Sequence, residues 1–427
     1  MKALRVGLFA LFAFTVAASG VVEVWSESIL EIGTAVLLLI WAGLLFRGRK
    51  PRIHWSPLAW PLLGLIAIGA FQIIFRASAY SYLTRTELLK LIVYFILFFL
   101  FTQAFRDRAD LTQVAGFLVL LGFAVALLAI IQHFTSQGEI FWFRRPLSGG
   151  DVFGPYVNRN HFAGFIELVA PVGMALLVFR GVRRDLVPLT GLLTIVPVGA
   201  LILSGSRGGI VSFAFEIVIL FLLTRLRRRR GKDAPRMVAV AVIALAALAL
   251  IVWLGPNRAI DRFSDLSSSD VSAGRRISMS RGAIQIFMHH PLAGTGVGTL
   301  VATYPLYETA YDGKLVDHVH NDYLELLADA GILGGLCGLA FLWILFRGAR
   351  RIFLAEQSHL SRAIHAGAIA AVCGLLLHSF VDFNLHIPSN AILFLLQACL
   401  ATSLPIPTGN HSPESSDRPP ASRAAAA

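Results

Sequence analysis

Apolar runs of about 18–20 residues, such as those through LFALFAFTVA at 8–17 and ILFLLQACLA at 392–401, recur along the whole chain. As a helix, each is long enough at 1.5 Å per residue to cross roughly 30 Å of hydrocarbon. The runs are continuous and do not alternate with period two, which argues against a membrane β-barrel. With 56% hydrophobic and 15% charged residues, the chain does not read as a soluble globule either. The expected fold class is an all-α polytopic membrane protein.

Spans are expected near 5–22, 29–46, 56–75, 87–105, 111–133, 160–179, 186–203, 208–224, 236–254, 325–346, 362–381 and 390–404, giving about 12 transmembrane helices. The first segment shares features with a secretory signal peptide; we read it as an uncleaved first helix. The net charge of +12 is carried by short loops such as RGRKPR (47–52), RGVRR (180–184), RLRRRRGK (225–232) and RGARR (347–351). Most of the 37 Lys and Arg residues then fall on one side, the cytoplasmic one, together with both termini. This placement explains the charge by membrane orientation, and no nucleic-acid partner is implied. Cys337, Cys373 and Cys399 lie inside apolar stretches and read as packing residues, neither a disulfide framework nor a zinc site. The expected organisation is one transmembrane domain over 1–404, with a long periplasmic loop (about 255–325) carrying short helices. A disordered cytoplasmic tail over 405–427 follows. No internal repeat is evident, so the inverted-repeat pattern of many transporters is missing.

The polar stretches that are not basic anchors fall on the outer side. SGSRGG (204–209) sets Arg207 between two spans with glycines beside it. An arginine there is costly without an anionic partner, although snorkelling to lipid headgroups is the plainer reading. SAGRRISMSRGAIQIFMHHPLAG (272–294) reads as a short interfacial helix with Ile277, Ile284, Phe287 and Met288 along one side. Its Arg275, Arg276 and Arg281 suit either a phosphate or anionic lipid. In HVHNDYLELLADAG (318–331), Asp322 is the expected N-cap and Glu325 its capping-box partner. His320 would then stand just outside a helix N-terminus, which favours the neutral imidazole that a general base must be. A structural histidine, or a metal held by His318, His320 and Asp322, is the alternative. FGPYVNRNHFAG (153–164) offers Tyr156, Arg159, Asn160 and His161 for a sugar or phosphate, or for an interfacial belt. HSFVDFNLHIPSN (378–390) brings His378, Asp382, Asn384 and His386 to the same side, Asp382 as a group that orients an arginine or caps a helix rather than one that does chemistry.

The pattern His320-Asn321, nine residues, Gly331, two residues, Gly334 resembles the signature of the O-antigen ligase and O-antigen polymerase superfamily. VNRNHFAG, SGSRGG, the RR…HPLAGTGVGTL…YPLY stretch and DFNLHIP are similar to that family's other blocks, in the same order over about 150–392. The resemblance implies a GT-C-like glycosyltransferase of the bacterial inner membrane with its active site facing the periplasm. It implies transfer of a glycan from undecaprenyl diphosphate to a lipid A-core or other glycan acceptor, inverting, with no cofactor and no essential metal. It implies His320 as base, and Arg207 with Arg276 or Arg275 on the diphosphate. Arg159, Asn160, His161, Tyr156, Asn321, Asp322, His318, Arg281, Asp382 and Asn384 are the candidate substrate-binding residues. Membrane lipids are the remaining expected partner. A polymerase or protein glycosyltransferase of the same family differs only in acceptor. A small-anion transporter, such as one for bicarbonate, would instead place its polar groups near the midplane on broken helices.

Overall fold

The structure is a computed structural model and describes residues 1–47, 53–146, 150–226, 273–309, 311, 313 and 315–403. Among these residues it is all helical, the only β pairings being isolated bridges between Ile140 and Arg144 and between Phe153 and Tyr156. The long helices are α1 (Lys2–Ala17), α2 (Val24–Arg47), α3 (Ala59–Ile74), α4 (Ser81–Ala104), α5 (Arg108–Thr135) and α6 (Arg159–Val178). They continue with α7 (Val187–Leu203), α8 (Arg207–Arg225), α9 (Ala273–His289), α10 (Asp322–Ala355), α11 (His359–His378) and α12 (Pro388–Thr402). Every expected span coincides with one of them except 236–254, which lies outside the described residues, as do 255–272 and the tail. Among the described residues, 8 helices are long and apolar enough to cross a membrane.

α6 is apolar on all sides and buried nearly from end to end, so it forms the axis of the bundle. α11 and α12 pack against it. Small residues in HAGAIAAVCG (365–374) bring α11 close: a Cβ on Gly367 would stand 2.7 Å from the Val172 Cα.

The basic loops share one end. Arg5 pairs there with Asp110, Arg108 lies 3.8 Å from Glu356, and the His359 ring meets the Phe179 carbonyl at 3.2 Å. The opposite end gathers the N-termini of α6, α8, α10 and α12, three of them capped by side chains of Asn158, Ser206 and Asn321. That end collects the polar stretches the sequence singled out.

α10 departs from the single span expected at 325–346. It starts at Asp322, runs to Ala355, and breaks at Gly331, whose φ of 62° is left-handed. A Cβ on Gly331 would lie 2.4 Å from the Leu292 carbonyl oxygen. The strap that follows α9 fills the break. Its Thr295 and Gly296 amides donate to the Ala328 and Asp329 carbonyls at 3.0 Å each, and its Pro291 carbonyl accepts from Ile332 at 2.8 Å. The strap is tied in turn to α3, where Gln72 donates to the Ala293 carbonyl at 2.6 Å and accepts from the Val297 amide at 2.9 Å. Backbone groups freed by the break are thus paired inside the protein, as an apolar environment requires. The piece below the break, 332–355, is about 36 Å long as a helix and spans the hydrocarbon without the piece above it. The break therefore sits toward the polar end, and the short helix 322–330 stands on top of a complete span.

Candidate functional site

The expected capping geometry is shifted by one residue. Asn321, not Asp322, is the N-cap of α10, its side-chain oxygen accepting from the Tyr323 and Leu324 amides at 3.1 and 3.0 Å. Asp322 turns instead toward the loop after α11. It accepts from the Ser379 hydroxyl at 2.6 Å, the Leu385 amide at 3.2 Å and the His386 ring at 2.8 Å. The Asp322 amide donates to the Ser379 carbonyl, which locks the start of α10 to the end of α11.

His320, one residue before the cap, has a φ of 51°. A histidine in the left-handed region costs on the order of 1 kcal/mol or more and persists where its surroundings hold it. Here Asp382 holds it: His320 Nδ1 lies 3.2 Å from Asp382 Oδ1. The Phe383 ring packs edge-on against the imidazole at 4.8 Å. Asp382 is fully buried and also accepts from the Phe383 amide at 2.8 Å. Burial by itself would raise the Asp382 carboxyl. The His320 hydrogen bond and the imidazoles of His161 and His378 outweigh it and hold the group below the usual carboxylate range. With Nδ1 directed at a carboxylate, the lone pair of His320 is placed on Nε2, which makes no hydrogen bond among the described residues.

A second cluster lies on the other side of Phe383. The His318 ring stacks on Phe383 at 4.3 Å, and its Nδ1 meets Glu325 Oε1 at 2.6 Å. His386 lies between Asp322 and Glu325, at 2.8 and 3.3 Å. Burial would lower its imidazole, but the charges of Glu325 and Asp322 push it up to about 10. The side-chain ligand atoms of His318, Glu325 and His386 all lie within 4.8 Å of one another, the geometry of a possible metal triad. In the structure these residues pair with one another: His318 Nδ1 and His386 Nε2 both approach Glu325 Oε1, whose second oxygen accepts from the Val319 amide.

The remaining candidates divide by position. Arg207 is the first residue of α8 and exposed. The next residue, Gly208, faces the His378 ring so closely that a Cβ there would stand 2.7 Å from its Nε2. His378 Nε2 in turn lies 4.0 Å from Asp382 Oδ2, so the start of α8 adjoins the His320–Asp382 pair. Arg275 and Arg276 lie in the first turn of α9. That helix buries Met279, Ala283 and Ile286 against Val316 and Val319, next to His320, and exposes Ile277, Ile284 and Met288 as an interfacial helix does. Both arginines are partly buried, and the Nε of Arg276 is buried without a hydrogen bond. Arg281 points outward.

His161 reaches the site: its Nε2 is 3.9 Å from Asp382 Oδ1 and its ring lies 4.7 Å from Phe383. Arg159 pairs with Asp151 at 3.0 Å, and Asn160, the second residue of α6, donates its amide to the Asn158 side chain. Tyr156 and Asn384 are enclosed behind the site. The Tyr156 hydroxyl bonds Ser389 at 3.0 Å, and Asn384 accepts from Asn390 at 3.0 Å. The sequence reading passed over Glu167, whose Oε1 accepts from His378 Nδ1 at 2.9 Å, and Phe383, about which His161, His318 and His320 are grouped. A carboxylate inside an otherwise apolar span was the available signal for Glu167.

Four helix N-termini, two arginines and an oriented imidazole at one end of a membrane bundle can bind an anion and remove a proton beside it. Residues 192–339 match the model of a family described as O-antigen ligase, a match that supports membership of the O-antigen ligase superfamily and covers Arg207, Arg276 and His320. No curated protein matches the chain.

Proposed function

We propose that this chain, as a member of the O-antigen ligase superfamily, is a membrane glycosyltransferase that moves a glycan from a polyprenyl diphosphate carrier to a sugar acceptor at the outer face. The observation that carries this reading is the His320 ring, fixed through Nδ1 on buried Asp382 with Nε2 left for a substrate hydroxyl. In the reaction Nε2 takes the acceptor hydroxyl proton as the oxygen bonds to the anomeric carbon. The bond from that carbon to the diphosphate oxygen breaks, and the carrier diphosphate leaves with the electron pair. Arg207 and Arg276 receive the charge, aided by the helix N-termini around them. A single displacement inverts the anomeric centre, and no carboxylate is assigned to a covalent step.

The energetics suit this assignment. A diphosphate is already a good leaving group, so positioning and charge stabilisation supply most of the catalysis. Each arginine in a water-poor cleft contributes on the order of 2–4 kcal/mol, and a positioned base roughly 10²–10⁴-fold. Lipid A-core is the proposed acceptor, undecaprenyl diphosphate the proposed carrier and the bacterial inner membrane the proposed location. In the test, purified full-length protein is incubated with an undecaprenyl-diphosphate-linked glycan and either lipid A-core or a second glycan, and products are analysed by mass spectrometry. A product on lipid A-core with inverted linkage is expected; extension of the glycan alone would make the chain a polymerase. Folded protein that binds the donor and yields neither product would defeat the reading.

A further inference from the structure

Below Asp382 the polar chain continues into the bundle. His378 ends α11 and is buried, with Nδ1 on Glu167 Oε1 at 2.9 Å and Nε2 facing Asp382 Oδ2 at 4.0 Å. Both ring nitrogens thus face carboxylate oxygens, an arrangement that suits a doubly protonated ring, since a bare nitrogen toward either would be repelled. Glu167 is fully buried on α6, two turns inside the helix start. The second oxygens of Glu167 and Asp382 make no hydrogen bond. Buried charges in an apolar span are expensive and are retained where they act. Nothing in the transfer step described above uses Glu167 or His378.

We propose that Glu167 and His378 are a positioning pair for the base, acting through Asp382 to hold His320 with its proton on Nδ1 and its lone pair on Nε2. This rests on His320 being the base. With His378 carrying a proton, the buried group of Glu167, His378 and Asp382 holds two negative charges and one positive. Its single net negative charge favours the imidazolium that His320 becomes when it takes the hydroxyl proton. Replacing Glu167 by a neutral isostere removes that balance without changing shape. His378⁺ is then left to Asp382 alone, which draws the carboxylate away from His320. The groups facing His320 and Asp382 are His161 from α6 and His378 from α11, while His318 from the loop before α10 stacks on Phe383.

A neighbouring carboxyl supplies the control. Glu216 on α8 is also fully buried, and neither of its oxygens is hydrogen bonded among the described residues. It lies against Gly374, one helical turn below His378, where a Cβ would stand 2.0 Å away. It touches neither Asp382 nor His320 through any hydrogen bond.

The test uses full-length protein carrying ¹⁵N-histidine in detergent micelles, with the His320 resonances assigned by comparison with His320→Gln. The expected wild-type spectrum has His320 protonated at Nδ1. Glu167→Gln should shift the ring toward the other tautomer and lower its titration midpoint, whereas Glu216→Gln, which reaches the pair only through Glu167, should move both less. In the transfer assay, Glu167→Gln should lower kcat about tenfold with KM unchanged, a fraction of the 10²–10⁴-fold that a base supplies. If Glu167→Gln does not fold, His378→Gln is measured in its place; it removes the positive charge between the two carboxylates, so the His320 midpoint should rise instead of fall. A folded variant with the wild-type tautomer and midpoint would overturn the proposal and leave the pair as a buried tie between α6 and α11. Because the spectra need no substrate, they support or overturn the pair whether or not glycan transfer is observed.

Discussion

Phe383 separates two histidine clusters that differ in one respect. On one side, His386 directs both nitrogens at Asp322 and Glu325, and His318 gives its Nδ1 to Glu325. On the other, His320 gives one nitrogen to Asp382 and keeps the second for a newcomer. The two share composition, an aromatic wall and the start of α10, but His386 has no nitrogen to spare and His320 has one. A histidine beside a carboxylate is therefore no marker of catalysis by itself; what matters is whether a nitrogen is left over. The cluster around Glu325 fixes the backbone on either side of His320 and so maintains its left-handed φ of 51°.

The sharpest way to break this comparison is to disable the open side. His320→Ala should cut transfer by at least about 10²-fold with donor binding retained, because the arginines hold the donor. Asp382→Asn should approach that loss, and the double variant should add little, as expected of residues that act as a unit. Equal rates for His320→Ala and wild type, measured by product formation, would end the assignment. Next come the arginines. Arg207→Ala and Arg276→Ala should each lose transfer, with lysine at either site recovering little because a point charge cannot replace a planar fork. Arg275→Ala should retain it, a contrast that checks which face of α9 is turned inward.

On the Glu325 side the effects should appear in stability before activity. The His386 imidazole is raised in the fold from its ordinary 6.5 to about 10. Its stabilisation is present in full below pH 6.5 and is lost as pH rises through 10. The wild-type melting temperature should consequently fall between about pH 6.5 and 10 more steeply than that of His386→Gln; parallel curves would dissolve the ion bracket. His318→Ala should lower the melting temperature while slowing transfer less than His320→Ala does. The smallest expected effect is that of chelators. EDTA should leave the rate unchanged, and a rate lost to EDTA and restored by zinc would turn the Glu325 cluster into a metal centre.

Much of the scaffold was legible because hydropathy is a local property: each apolar run outside the undescribed stretch coincides with a helix. His320 and Asp382 were each visible as candidates, but their contact joins residues 62 apart and no local pattern encodes it. The N-cap was misread for a related reason. Asn321 and Asp322 are both good caps, and the choice is made by Ser379, Leu385 and His386, which draw Asp322 away from its own helix. Tyr156 and Asn384 looked like sugar ligands because their side chains are polar at a helix mouth. Whether such a group faces a cleft or ties two helices together depends on packing that spacing does not reveal. The break at Gly331 is hidden by an apolar pattern that runs through it, and the Gly331 and Gly334 spacing carries a family resemblance without signalling a break.

The strap at 291–297 also imposes an order on biosynthesis. A helix broken at its entry to the bilayer leaves carbonyls and amides whose exposure to hydrocarbon costs several kcal/mol each. Their partners lie about 35 residues earlier in the chain, so they leave the ribosome first. The strap can dock on Gln72 and wait, and 328–333 meets ready partners as it arrives. Had the two segments occurred in the opposite order, the broken helix would have had to wait unpaired.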